Sequence, residues 1–134
     1  MEPTQPRLFR ILLEVSDMAS AVSFYSTLLA LSGRPIFGGR HYFDCGDVIL
    51  GFADVSSAGR EPQPTPQYLY LAVTNLEEIH SRAAELGALS SEDVHSGSGG
   101  QIAVRPWGER SFYARDPFGN LLCLVDAETL FTGR

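Results

Sequence analysis

Arg10, Leu12 and Glu14 fall on one side of the alternating stretch LFRILLEVSD, with Phe9, Ile11, Leu13 and Val15 on the other, so a cation and a carboxylate share a face whose reverse is wholly apolar. An arginine on an inward-facing position needs a partner, because an unpaired buried charge is costly. Glu14 is one such partner; an anionic group on a ligand is the other. Downstream, QYLYLAVTN repeats the pattern and puts Tyr68 and Tyr70 opposite Leu69, Leu71 and Val73, which supplies aromatic surface and two hydroxyls. Trp107, the only tryptophan, follows a proline in PWGERSFYARDPFGN and offers a flat, rigid face to a planar ligand. His41, Phe43 and Phe52 are further candidates for the wall of a pocket.

Nucleophilic and phosphate chemistry are poorly supported. Cys45 and Cys123 lie in separate apolar stretches, without a CxxC pair and without a histidine at a spacing that implies a partner. They read as core residues. His80 lies in a helical segment and His95 in a Ser/Gly-rich loop, both in structural or surface roles. The loop HSGSGGQ, residues 95–101, lacks the Gly-Lys-Ser/Thr ending of a phosphate loop and does not introduce a helix. It reads as a loop placed to cover a pocket mouth.

The elements that must position these residues recur in order. Asp17 caps a helix in MASAVSFYSTLLALSG, and Asn75, with Glu78 at the capping-box position, begins another in LEEIHSRAAELG; Gly33 and Gly87 are the expected left-handed stops. Three short strands follow each helix: RPIFG, RHYFDCG and VILGFADV in the first half, QIAVRP, RSFYAR and NLLCLVDA in the second. The spelling is strand-helix-strand-strand-strand, twice, in modules 7–58 and 67–127. The Pro-rich linker 59–66 joins them. The fold class is α+β: two tandem βαβββ modules forming a curved, mostly antiparallel eight-stranded sheet around a cleft, within one domain. Asp116, Pro117 and Gly119 have the chemistry of a type I turn, which sets strand register.

Composition narrows the partners. The net charge of -6 comes without a Lys/Arg cluster, so the footprint that a phosphate backbone requires is missing and no nucleic acid is expected. An acidic chain concentrates cations, cationic small molecules included. No run is long and apolar enough to span a membrane, and MEPTQPRLFR lacks the apolar core of a signal peptide, so a soluble, cytoplasmic protein is expected.

With the paired modules, the unit VSDMASAVSFYSTLLALSG and the closing hairpin PWGERSFYARDPFGNLLCLVD in view, the chain resembles the vicinal oxygen chelate superfamily of glyoxalases, dioxygenases and bleomycin resistance proteins. The resemblance covers nearly all of its length. It implies that catalytic members hold a divalent metal on His, Gln or Glu from the first, fourth, fifth and eighth strands. The matching positions here are Arg10, Leu50 or Gly51, Tyr68 and Cys123, none of which is an expected ligand. The pattern is closest to the non-metal, bleomycin-resistance-like branch, which implies no metal, no cofactor and sequestration of a small molecule, aromatic or charged, by a homodimer. The alternative is an enzyme of the superfamily, a lyase, isomerase or dioxygenase, with atypical ligands. The expected ligand-binding set is Arg10, Leu12, Glu14, His41, Phe43, Tyr68, Tyr70, Trp107 and Cys123.

Overall fold

Alternation becomes strand where one face is covered. In a computed structural model that describes residues 5–134, β1 (Arg10–Val15) buries Leu13 and Val15 and leaves Arg10 and Leu12 exposed. Asp17 then caps α1 (Met18–Leu29), its side chain accepting from the Ser20 amide at 3.2 Å. The strands β2 (Arg34–Ile36), β3 (Arg40–Cys45) and β4 (Val48–Asp54) complete the first module. The second runs through β5 (Leu69–Val73), α2 (Leu76–Glu85), a small hairpin β6 (Asp93–Val94) and β7 (Gly97–Ser98), then β8 (Ala103–Val104), β9 (Arg110–Arg115) and β10 (Leu121–Asp126).

The two modules repeat one topology. The first sheet has the order β1-β4-β3-β2 and the second β5-β10-β9-β8; in each, the strand before the helix pairs parallel with the last strand and the remaining pairs are antiparallel. The eight principal strands thus form two four-stranded sheets that share no ladder. Side chains join them instead. The helix-facing residues of both sheets and the apolar faces of both helices make one core, in which Tyr25, Phe43, Phe52 and Phe112 are fully buried. Each such aromatic contributes roughly 1.5–3 kcal/mol through burial.

A polar lock closes one end of this core. Asn120, fully buried, accepts from the Thr65 amide at 3.0 Å and donates to Asp116 at 2.8 Å and to the Glu14 carbonyl at 3.4 Å. The Tyr25 hydroxyl donates to the same Asp116 carboxylate at 2.7 Å. Burial and the nearby Asp116 charge push the Tyr25 hydroxyl well above the ordinary tyrosine range, so it remains a donor. The DPFG turn forms as its chemistry requires, with the Gly119 amide on the Asp116 carbonyl at 3.2 Å. Its side chains also tie β10, α1, β1 and the linker together.

Three local expectations change. α1 stops at Leu29, before Gly33, with Ala30 in the left-handed region at φ 56°, because Leu28 is fully buried and the chain must turn there to reach β2. Asn75 makes no capping bond to the backbone; Glu78 is taken instead by Arg82 one turn on and by the Asn75 side-chain amide, so no capping box forms. The Ser/Gly-rich segment is a hairpin, with His95 and Ser96 both at positive φ as a tight two-residue turn demands. Gly87 does follow α2 in the left-handed conformation, at φ 68°.

Candidate functional site

The face of the first sheet turned away from the helices carries Arg10, Leu12 and Glu14 from β1, Gly51 opposite Leu12 on β4, and Tyr42 opposite Gly51 on β3. The Arg10 guanidinium lies 4.8 Å from the Phe9 ring centroid and 5.8 Å from that of Tyr42, a cation held between aromatic faces. Glu14 is not its partner. The Glu14 carboxylate accepts from both terminal nitrogens of Arg60, at 2.8 and 2.6 Å, and from the Gln63 amide at 2.9 Å. That fork, then the amide, hold its pKa down at about 2. Glu14 therefore anchors the linker to β1 and leaves Arg10 without a carboxylate within 4 Å among the described residues.

His41 and Phe43 are corrections. In β3 they alternate with Arg40, Tyr42 and Asp44 and point into the core, where Phe43 is fully buried and His41 is 7% exposed, its Nε2 3.3 Å from the Ser32 carbonyl. Phe52 is buried with them, its ring centroid 4.5 Å from that of Tyr25. The residue of that strand on the open face is Tyr42. His80 is also committed, to the Gly100 carbonyl at 2.8 Å and edge-on to Phe112.

The second sheet is asymmetric with the first because its corresponding face is partly filled. Tyr70, Cys123 and Tyr113 form a row across β5, β10 and β9. Tyr68, just before β5, meets Tyr113 edge-on at 4.7 Å. Cys123 is fully buried; burial pushes its thiol up to about 11, although hydrogen bonds from Ser111 and Tyr113 work the other way. Tyr113 is pushed up to about 12, chiefly by burial. At neutral pH both are protonated, so this row packs and donates but supplies no nucleophile.

Trp107 stands at the edge of that face. Its Nε1 donates to Glu109 at 2.8 Å, and the other carboxylate oxygen accepts from the Phe131 amide at 2.9 Å, which draws the C-terminal segment over the sheet. Trp107, Tyr70, Ala72, Glu109, Val125 and Phe131 line a cavity of about 460 Å³. A second cavity, about 570 Å³ and largely apolar, opens between the two sheets from Leu8 and Ile11 to Leu69 and Leu71. Tyr70 borders both. The structure thus unites Tyr70 with Trp107, while Arg10, Leu12 and Glu14 belong to the other sheet and do not line the Trp107 cavity.

Sequence reasoning missed Glu109, Tyr42 and Arg105. Arg105 is 4% exposed and lies over the Tyr113 ring at 4.8 Å. Its parity with Ala103, which pairs with Ser111, was a readable signal. Glu109 had no signal, since its importance comes from two partners brought together only by folding.

The residues do not fit a divalent metal. Arginine carries a permanent charge, Gly51 has no donor, Tyr68 keeps its proton and Cys123 is a buried thiol. Among the described residues no three His, Cys, Asp or Glu side chains cluster as a metal site. None of the helices described is long and apolar enough to cross a membrane.

Solved structures share this arrangement. A glyoxalase/bleomycin resistance protein from Albidiferax ferrireducens T118 superposes with a TM-score of 0.72 at 18% identity, over 89% of this chain and 97% of that one. Oxidase ChaP-H2 gives 0.72 at 21%, over 92% and 94%. A superfamily member from Sphaerobacter thermophilus DSM 20745 gives 0.66 at 20%, over 91% and 98%. At these identities the likeness is one of fold. No curated protein is significantly similar in sequence. The family model of the Glyoxalase/Bleomycin resistance protein/Dioxygenase superfamily matches residues 7–124, and the chain belongs to that superfamily.

Proposed function

We propose that this protein binds and sequesters a planar aromatic small molecule without a metal, as the bleomycin-resistance-like reading of the sequence implies. The observation that carries this is the cavity of about 460 Å³ whose wall is Trp107, Tyr70 and Phe131 with the Glu109 carboxylate among them. Aromatic walls with a few polar groups are the usual makeup of a small-molecule pocket. A carboxylate beside them, in a chain of net charge -6, favours a ligand that carries positive charge.

A second copy of the chain completes the site in this reading. Leu12 is 41% exposed on the open face of one sheet and Tyr70 61% exposed on that of the other, with Phe9 before β1 and Phe131 in the C-terminal segment 50% and 59% exposed. Apolar surface of this kind on two sheet faces suits a homodimer in which one protomer covers the other. Light scattering should give twice the chain mass, and Tyr70→Glu should give the monomer.

Binding is tested by isothermal titration with a planar cationic dye and with a cationic glycopeptide, alongside Trp107 fluorescence. Saturable heat and quenching are expected, with affinity lost in Trp107→Ala. Flat titrations for both probes would reject the proposal. The second reading, an enzyme of the same superfamily, takes its support from fold relatives that include Oxidase ChaP-H2. Elemental analysis of the purified protein separates the two, since a stoichiometric metal surviving dialysis would favour the enzyme.

A further inference from the structure

Arg105 is buried to 4% exposure, and no carboxylate lies within salt-bridge distance of it among the described residues. Its Nε donates to the Ser111 hydroxyl at 3.0 Å, and its Nη2 donates to the carbonyls of Ser111 at 2.9 Å and Gln101 at 3.3 Å. All three acceptors are neutral. Glu109, the acidic residue across the turn, gives its two carboxylate oxygens to Trp107 and the Phe131 amide. Nη1 has no partner among the described residues, yet no unpartnered side-chain nitrogen is sealed from solvent, so this end of the guanidinium remains reachable. A cavity of about 400 Å³ abuts it, lined by Arg105, Gln101, Ser98, His95 and Pro106.

A guanidinium is always ionised, and three neutral acceptors solvate it without cancelling its charge. The protein fixes its orientation, by Ser111 on one edge and the Tyr113 face beneath, and leaves Nη1 without a protein acceptor among the described residues. That is how a rigid anion anchor is built: ordering is complete before the ligand arrives. We propose that Arg105 anchors a second binding site, which takes the carboxylate of a small-molecule ligand through Nη1 in this cavity. A monoanionic carboxylate suits a chain of net charge -6 better than a phosphate dianion, which meets twice the long-range repulsion. The site is distinct from the aromatic cavity: His95 stacks edge-on against Trp107 at 4.7 Å, with one ring lining each cavity.

The test is titration with sodium benzoate, sodium acetate and inorganic phosphate at ionic strength held constant with chloride, followed at the Arg105 side-chain NMR signals. Saturable shifts with the carboxylates are expected, weakened at least about tenfold in Arg105→Gln, as loss of a charge-assisted hydrogen bond implies. Arg105→Lys keeps the charge but loses the fork, and should bind with intermediate affinity. Binding of the cationic dye at the Trp107 cavity should be unchanged in Arg105→Gln, so failure of one site is distinguishable from failure of the other. Arg105 signals that respond only to phosphate overturn the carboxylate assignment; signals that respond to none of the three anions overturn the site. Should Arg105→Gln fail to fold, the wild-type titration decides by itself.

Discussion

Replacing Asn120 with alanine removes the centre of the lock between the modules. Three hydrogen bonds go: from the Thr65 amide, to the Asp116 carboxylate and to the Glu14 carbonyl. The last is long at 3.4 Å and counts for little. The first is worth about 1 kcal/mol and the bond to a charged oxygen about 1.5–3 kcal/mol, so the expected loss is about 3 kcal/mol. For a domain of this size that lowers Tm by about 10 °C. Urea unfolding followed by circular dichroism measures it, with the slope unchanged if the unfolded state is unaffected. Tyr25 and Asn120 share one Asp116 oxygen, at 2.7 and 2.8 Å, so a double-mutant cycle with Tyr25→Phe should give a coupling of at least about 0.5 kcal/mol. A cost below about 1 kcal/mol, or strict additivity with Tyr25→Phe, would refute the claim that this network fastens the modules.

Other consequences are as direct. A Cβ on Gly51 would sit 2.6 Å from Leu12 Cδ2 and 2.9 Å from Tyr42 Cε1; both side chains border open space, so Gly51→Ala should cost about 1–3 kcal/mol in urea unfolding, and less in a Leu12→Ala background. Cys123 should resist a disulfide reagent at pH 8 in the folded protein and react only as it unfolds, because its thiol is both fully buried and shifted to about 11; rapid labelling of the native state, mapped by mass spectrometry, would contradict this. Glu14, held at about 2 in the fold against 4.5 in its absence, contributes stability that is complete above pH 4.5 and lost as pH falls toward 2. Carboxyl NMR should give that low midpoint, and Arg60→Gln should return it toward 4.5; a wild-type midpoint already near 4.5 would mean that the fork to Arg60 does not form in solution.

Much of the fold was legible because its causes are local. Asp17 caps α1 through an oxygen three residues from its target, Gly87 ends α2 with a left-handed turn, and Asp116 with Gly119 closes the last hairpin, each within one turn of chain. The parity of β1 was equally clear, since Leu13 and Val15 admit only one buried face. β3 was not, because His41, Tyr42 and Phe43 are all aromatic rings and alternation of polarity is weak there; the core decided in favour of His41 and Phe43. Asn75 has the residue type of a cap, but its partner Glu78 gains more from Arg82, whose charge an amide N–H lacks.

Composition and period by themselves determined two repeated modules and their strand and helix order. Only the tertiary structure decided the partners. Glu14 reaches Arg60 across 46 residues of chain, Asn120 reaches back 106 to the Glu14 carbonyl, and Trp107 meets Tyr70 and Phe131 from three separate segments. Arg105 depends on packing in the same way: a sequence places an arginine on a strand face, but whether a carboxylate arrives beside it is settled by which chains fold against that face. Here neutral oxygens arrived, and among the described residues no carboxylate did.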